Sequence, residues 1–115
     1  TCSDHGEILV KLPFQDHLVG NPVGPAWHGG ILMAMLDIAA QAQLIAHIGD
    51  AQARVSLISS HADFLRSGQA EALFASAQIR RAGRRYASVE AQVWQSDRAR
   101  LTATAHVQFN MPAPL

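Results

Sequence analysis

The chain has little with which to hold a nucleic acid, a disulfide or a metal. Nine Lys and Arg balance nine Asp and Glu, so the formal net charge is zero, and no long basic run exists. A nucleic-acid partner therefore has no electrostatic support. The single cysteine, Cys2, excludes an internal disulfide and any cysteine cluster. His5, His47 and His106 are scattered without metal-ligand spacing, so no metal is expected. No uninterrupted membrane span is present either: the most apolar stretch is broken by Asp37, Gln41, Gln43 and His47. The polar start lacks the pattern of a secretory leader, and a cytoplasmic protein is the expectation.

What remains is a chain of 115 residues, 49% apolar and 16% charged. That balance excludes disorder as the main state and predicts one domain over residues 1–115 with one modest core.

The most informative stretch is Trp27-His28-Gly29-Gly30, followed by Ile31-Leu32-Met33-Ala34-Met35-Leu36-Asp37. From Gly29 to Ala46 the side chains are almost all small or apolar, which predicts a core helix over 29–48 with hardly any solvent face. Asp37 is its only charge, and a carboxylate in such surroundings needs a local partner or a task. Gly29 and Gly30 remove side chains where N–H groups at a helix start point outward, with the positive end of the macrodipole behind them. Such a turn can hold a carbonyl oxygen as it gains negative charge.

His28 and Asp37 are nine residues apart, about 180° around a helix, so they face opposite ways. If both serve one site, the simplest geometry joins His28 and the glycine amides of one chain to Asp37 of a second. A homodimer is the expectation.

Residues 7–12 read as a first strand, 13–25 as a loop rich in Gly and Pro, and Gly49-Asp50 as the helix stop. Four strands are predicted after it, at 53–65, 70–81, 85–96 and 100–110, as an antiparallel meander. Ala87, Val89, Ala91 and Val93 share one face; Leu101, Ala103, Ala105, Val107 and Phe109 share another. Turns are read at 66–68, 81–84 and 96–99. The order strand, long helix, meander is an α+β design, a sheet wrapped around one helix, with edges that a second copy could pair.

Ser59, His61 and Asp63 suggest a hydrolase triad, but residues two apart on a strand stand about 6.7 Å apart, too far for hydrogen bonding. A partly buried sheet histidine is the better reading of His61. Trp27, Trp94, Phe64 and Phe74 are each expected in the core.

The chain resembles the hotdog-fold acyl-CoA thioesterases, in the branch named after the phenylacetic acid degradation thioesterase. The resemblance runs through Asn21-Pro22-Val23-Gly24, His28-Gly29-Gly30, Asp37, Asp63-Phe64-Leu65-Arg66 and Gly83-Arg84-Arg85 to a last strand ending near Phe109. It implies an antiparallel sheet of five to six strands around a central helix, and hydrolysis of a thioester to a free acid and CoA. It further implies that the Gly29 amide polarises the carbonyl, that His28 orients the substrate, and that Asp37 acts as nucleophile or as general base for water. Asn21 and Gly30 would touch the substrate, and a helper Ser on the strand after the helix is sought among Ser56, Ser59 and Ser60, with Ser59 taken as the substrate contact. CoA brings phosphates, for which Arg66, Arg84 and Arg85 lie in turns, unless they are ordinary solvated arginines. No cofactor is implied beyond the CoA of the substrate, and the expected assembly is a homodimer with a composite site, further paired as a dimer of dimers.

Two other readings compete. His17 with the residues up to Pro25 resembles the histidine motif of hotdog β-hydroxyacyl dehydratases. A non-catalytic acyl-CoA binding module would keep the fold without turnover.

Overall fold

A computed structural model describes residues 6–13, 29–49, 54–66 and 71–111. In chain order it comprises β1 (Val10–Leu12), α1 (Gly29–Ile48), β2 (Ser56–Phe64), β3 (Leu73–Ala82), β4 (Tyr86–Trp94) and β5 (Ala103–Asn110). The strands form one antiparallel sheet in the order β1-β3-β4-β5-β2. Against it packs α1, the single helix among the described residues, the arrangement expected of a hotdog fold.

The helix begins at Gly29 and ends where its sequence signals said it would. Gly49 takes a left-handed conformation (φ 83°), and its N–H donates to the Ile45 carbonyl at 3.1 Å. A glycine reaches that conformation without the Cβ clash other residues meet, which ends the helix at low cost. On the sheet side Leu36, Ala40 and Leu44 are fully covered. They pack over β3 and β4, whose inner positions are largely alanine and valine: Ala75, Ala77, Ala87, Val89, Ala91 and Val93. Small side chains there let the helix axis come close to the sheet. The alternation predicted for β4 and β5 is present, with Ala103, Ala105, Val107 and Phe109 all buried.

Three expectations are corrected. Only β3, β4 and β5 form a meander; β2 lies at the far edge of the sheet, hydrogen-bonded to β5 and not to β3. A twenty-residue helix spans about 30 Å, more than the roughly 19 Å width of five strands, so it can carry the chain from β1 at one edge to β2 at the other. Second, α1 is not covered all round: Ala34, Ile38 and Gln41 face away from the sheet and are exposed. Third, Phe64 is 54% exposed, because it sits on the edge strand while α1 packs over β3 and β4. Trp94 is buried and Phe74 half-buried, stacked at a centroid distance of 6.3 Å.

Side-chain bonds secure the periphery. Gln43 on α1 accepts from the Ile8 N–H (2.8 Å) and donates to the Gly6 carbonyl (3.1 Å), anchoring the approach to β1. Regular pairing there is confined to Val10–Leu12, shorter than the predicted 7–12. In the β4–β5 connection Arg98 lies 4.4 Å from the Trp94 ring centroid. It also donates to the fully buried Ser76 hydroxyl at 3.1 Å and pairs with Glu7.

Candidate active site

The only acidic residue of α1 is held by the edge strand. Ser60 Oγ donates to Asp37 Oδ1 at 2.8 Å, and both residues are half-buried. A mid-helix carboxylate that would otherwise be poorly solvated thereby gains the partner it requires. A carboxylate offers about four lone-pair sites, so one bond fixes its orientation while leaving capacity to accept a proton.

Strand irregularity explains why Ser60 and not Ser59 makes this bond. Leu57 pairs with the inward Phe109, and simple alternation from Leu57 would turn Ser59 inward too. Between Leu57 and Ser59 the register shifts by one residue. Ser59 then pairs with the outward Gln108, and Ser60 with the buried Val107. Bulges of this kind re-aim side chains. The serine expected as a substrate contact, Ser59, is exposed on the outer face.

The bulge also settles the triad. Ser59, His61 and Asp63 all lie outward, away from α1, and His61 Nε2 stands 3.9 Å from Asp63 Oδ1, beyond hydrogen-bond range. His61 is exposed rather than partly buried, because its position faces solvent opposite His106.

Gly29 and Gly30 form the first turn of α1, as the proposed carbonyl site requires. Asn21 and His28, with His17 and Trp27, lie outside the described residues.

The arginines divide into engaged and open groups. Arg80 pairs with Glu90 through Nε at 2.6 Å, and Arg66 donates Nη1 to the Leu101 carbonyl at 2.7 Å. Arg66 also lines a cavity of about 590 Å³ with Arg100, Glu71 and Asp97, where the charges offset one another. Arg84 and Arg85 occupy the β3–β4 turn, closed by the Gly83 N–H donating to the Tyr86 carbonyl at 2.9 Å. Together with Arg81 and Tyr86 they border a cavity of about 420 Å³ that no acidic residue lines among the described residues. Among the described residues no group of three or more His, Cys, Asp or Glu could hold a metal ion.

Comparison with known proteins identifies the family and the fold. The model of the acyl-CoA thioesterase N-terminal domain matches residues 19–109. A phenylacetic acid degradation-related protein of Ralstonia eutropha is 30% identical, with a TM-score of 0.77 over 91% of this chain and 76% of that one. A Bacillus halodurans protein solved with CoA is 23% identical, with a TM-score of 0.82 over 100% of this chain and 74% of its own. A thioesterase of Staphylococcus aureus is 17% identical, with a TM-score of 0.80 over 94% and 87%. At these lower identities the likeness is one of fold. No protein of curated function matches the sequence.

Proposed function

Since the chain belongs to the acyl-CoA thioesterase domain family and is a thioester hydrolase, we propose that it cleaves acyl-CoA esters at a site built on Asp37 and the first turn of α1. The observation that carries this reading is the Ser60–Asp37 hydrogen bond, which commits a serine of the edge strand to orienting the one carboxylate of a largely apolar helix.

A thioester is already an activated acyl group. The Gly29 amide would polarise its carbonyl, with Gly30 beside it in the same turn and the helix dipole favouring the developing oxyanion. His28 would orient the ester, and Asn21 would contact it. Asp37 would either take a proton from water, whose oxygen adds to the carbonyl carbon, or add to that carbon itself to give an anhydride that water then opens. Both routes release CoA as the thiol and leave a free acid, and neither calls on a cofactor.

The partner needed to complete the site is a second copy. Leu57, Ile58, Phe64 and Leu65 are all about half exposed on or beside β2, a nine-residue strand at the edge of the sheet. A long apolar edge invites pairing with another strand. Joining two β2 edges would set Asp37 of one chain near the helix start of its partner and supply the opposed geometry that His28 and Asp37 require.

The CoA phosphates would meet Arg84 and Arg85, where positive charge is not offset by an acid among the described residues of the cavity, with Arg66 as a further contact. The Bacillus halodurans protein of the same fold was solved with CoA, which supports CoA as the ligand without locating its site here.

Thiol release from short, medium, long and aryl-acetyl CoA esters tests the proposal. Wild-type turnover that falls at least about a hundredfold in Asp37→Ala is expected, a loss of roughly 2.7 kcal/mol or more of transition-state stabilisation. Equal rates in both proteins would remove Asp37 from the chemistry.

A further inference from the structure

Because β2 lies beside β5, two histidines far apart in the sequence stand directly opposite each other. His61 pairs with His106 in the antiparallel register, and both are exposed on the outer face of the sheet. Opposite residues of such a pair hold their Cβ atoms about 4.5–5.5 Å apart, with the side chains rising from the sheet side by side. Asp63 is on the same face, its Oδ1 at 3.9 Å from His61 Nε2, too far for a hydrogen bond. Glu90, next to His106 in the same row, is taken up by Arg80. One carboxylate charge, that of Asp63, therefore stands beside the two rings. Protonated rings in this position oppose like charges, whereas neutral rings offer two lone pairs to one shared cation.

We propose that His61 and His106 chelate one divalent transition-metal ion of the zinc type, which staples the edge strand to β5. Imidazole suits zinc, copper and nickel, whereas magnesium and calcium take oxygen donors. With Zn–N bonds of about 2.0–2.1 Å, two nitrogens on a tetrahedral ion stand about 3.3 Å apart, a separation that rings rising from opposite positions reach by turning toward each other. The two rings supply half of the shell and water the rest, while the Asp63 charge favours a cation there without having to ligate it. Two protein donors are fewer than a closed zinc site uses, so the ion would exchange with solvent. It would fix β2 against β5 one residue from Ser60, whose partner Val107 adjoins His106. The site lies on the face of the sheet opposite α1 and is separate from the chemistry proposed at Asp37.

The test is calorimetric titration of the untagged, chelator-treated protein with zinc chloride near neutral pH, in wild type, His61→Ala, His106→Ala and His47→Ala. Circular dichroism confirms the fold of each, and His61→Gln and His106→Gln replace any alanine variant whose fold is changed. His47 is exposed near the end of α1, on the other side of the sheet, and serves as the control. One zinc per chain is expected for wild type and His47→Ala, with affinity at least about tenfold weaker when either member of the pair is removed. Zinc should raise the thermal midpoint of wild type and leave that of both pair variants unmoved, and magnesium should bind none of them. No saturable zinc binding by wild type would overturn the proposal. So would an affinity that either pair substitution leaves unchanged, an equal loss in His47→Ala, or one zinc shared by two chains, which would put the ion between copies.

Discussion

Ser60 contributes one hydroxyl, and its value lies in where that hydroxyl points. The bond to Asp37 Oδ1 selects one orientation of the carboxylate, so in the proposed site Ser60 would act as a positioning residue. A neutral donor to a half-buried carboxylate is worth about 1–1.5 kcal/mol, and in a transition state that depends on the carboxylate's aim the loss corresponds to roughly tenfold in rate. Ser60→Ala should therefore lower kcat about tenfold with KM nearly unchanged, while costing about 1–1.5 kcal/mol in urea unfolding. Ser59→Ala, on the outer face, should match wild type in both measurements. Ser60→Thr retains the hydroxyl and should recover part of the rate, an outcome that a purely structural role in strand packing would not produce.

At the scale of the element, periodicity was legible and irregularity was not. The span of α1 and the inward faces of β4 and β5 follow from the spacing of apolar residues, and Asp37 stood out as the only charge in its helix. The bulge in β2 follows from no such spacing: Leu57, Ile58, Ser59 and Ser60 fit either phase, and only pairing with β5 decides which serine turns inward. The placement of β2 beside β5 was equally hidden, since alternation describes one strand and not its neighbour. Nor does alternation reveal that Arg98, in a turn, covers Trp94 and satisfies the buried Ser76 hydroxyl. Removing that side chain leaves a buried hydroxyl unpaired, at a cost of about 1–3 kcal/mol. Arg98→Ala should accordingly shift the urea midpoint, and the shift should shrink when Ser76→Ala is already present, because the hydroxyl needing a partner is gone.

At the scale of the whole molecule, a chain of zero net charge cannot draw in an anionic ester by its overall field, so the proposed recognition of CoA would have to be local. Arg80 and Arg98 are engaged with Glu90 and Glu7, and Arg66 with a backbone carbonyl. The cavity at the β3–β4 turn is where positive charge collects with no acid among its described lining residues. Each charge-assisted contact to a phosphate is worth about 1–2 kcal/mol, so Arg84→Ala and Arg85→Ala should each raise KM for an acyl-CoA about five- to thirtyfold with little change in kcat. Raising the salt should narrow the difference from wild type, since exposed charges are screened. Arg80→Ala serves as the control, because its guanidinium is already paired, and its KM should stay near wild type. The deciding measurement is the same kinetics on an acyl-pantetheine thioester, which keeps the reacting bond and lacks the nucleotide. If Arg84 and Arg85 act through the phosphates, their variants and wild type should handle that ester alike; an equal loss on both esters would place the two arginines in support of the turn itself.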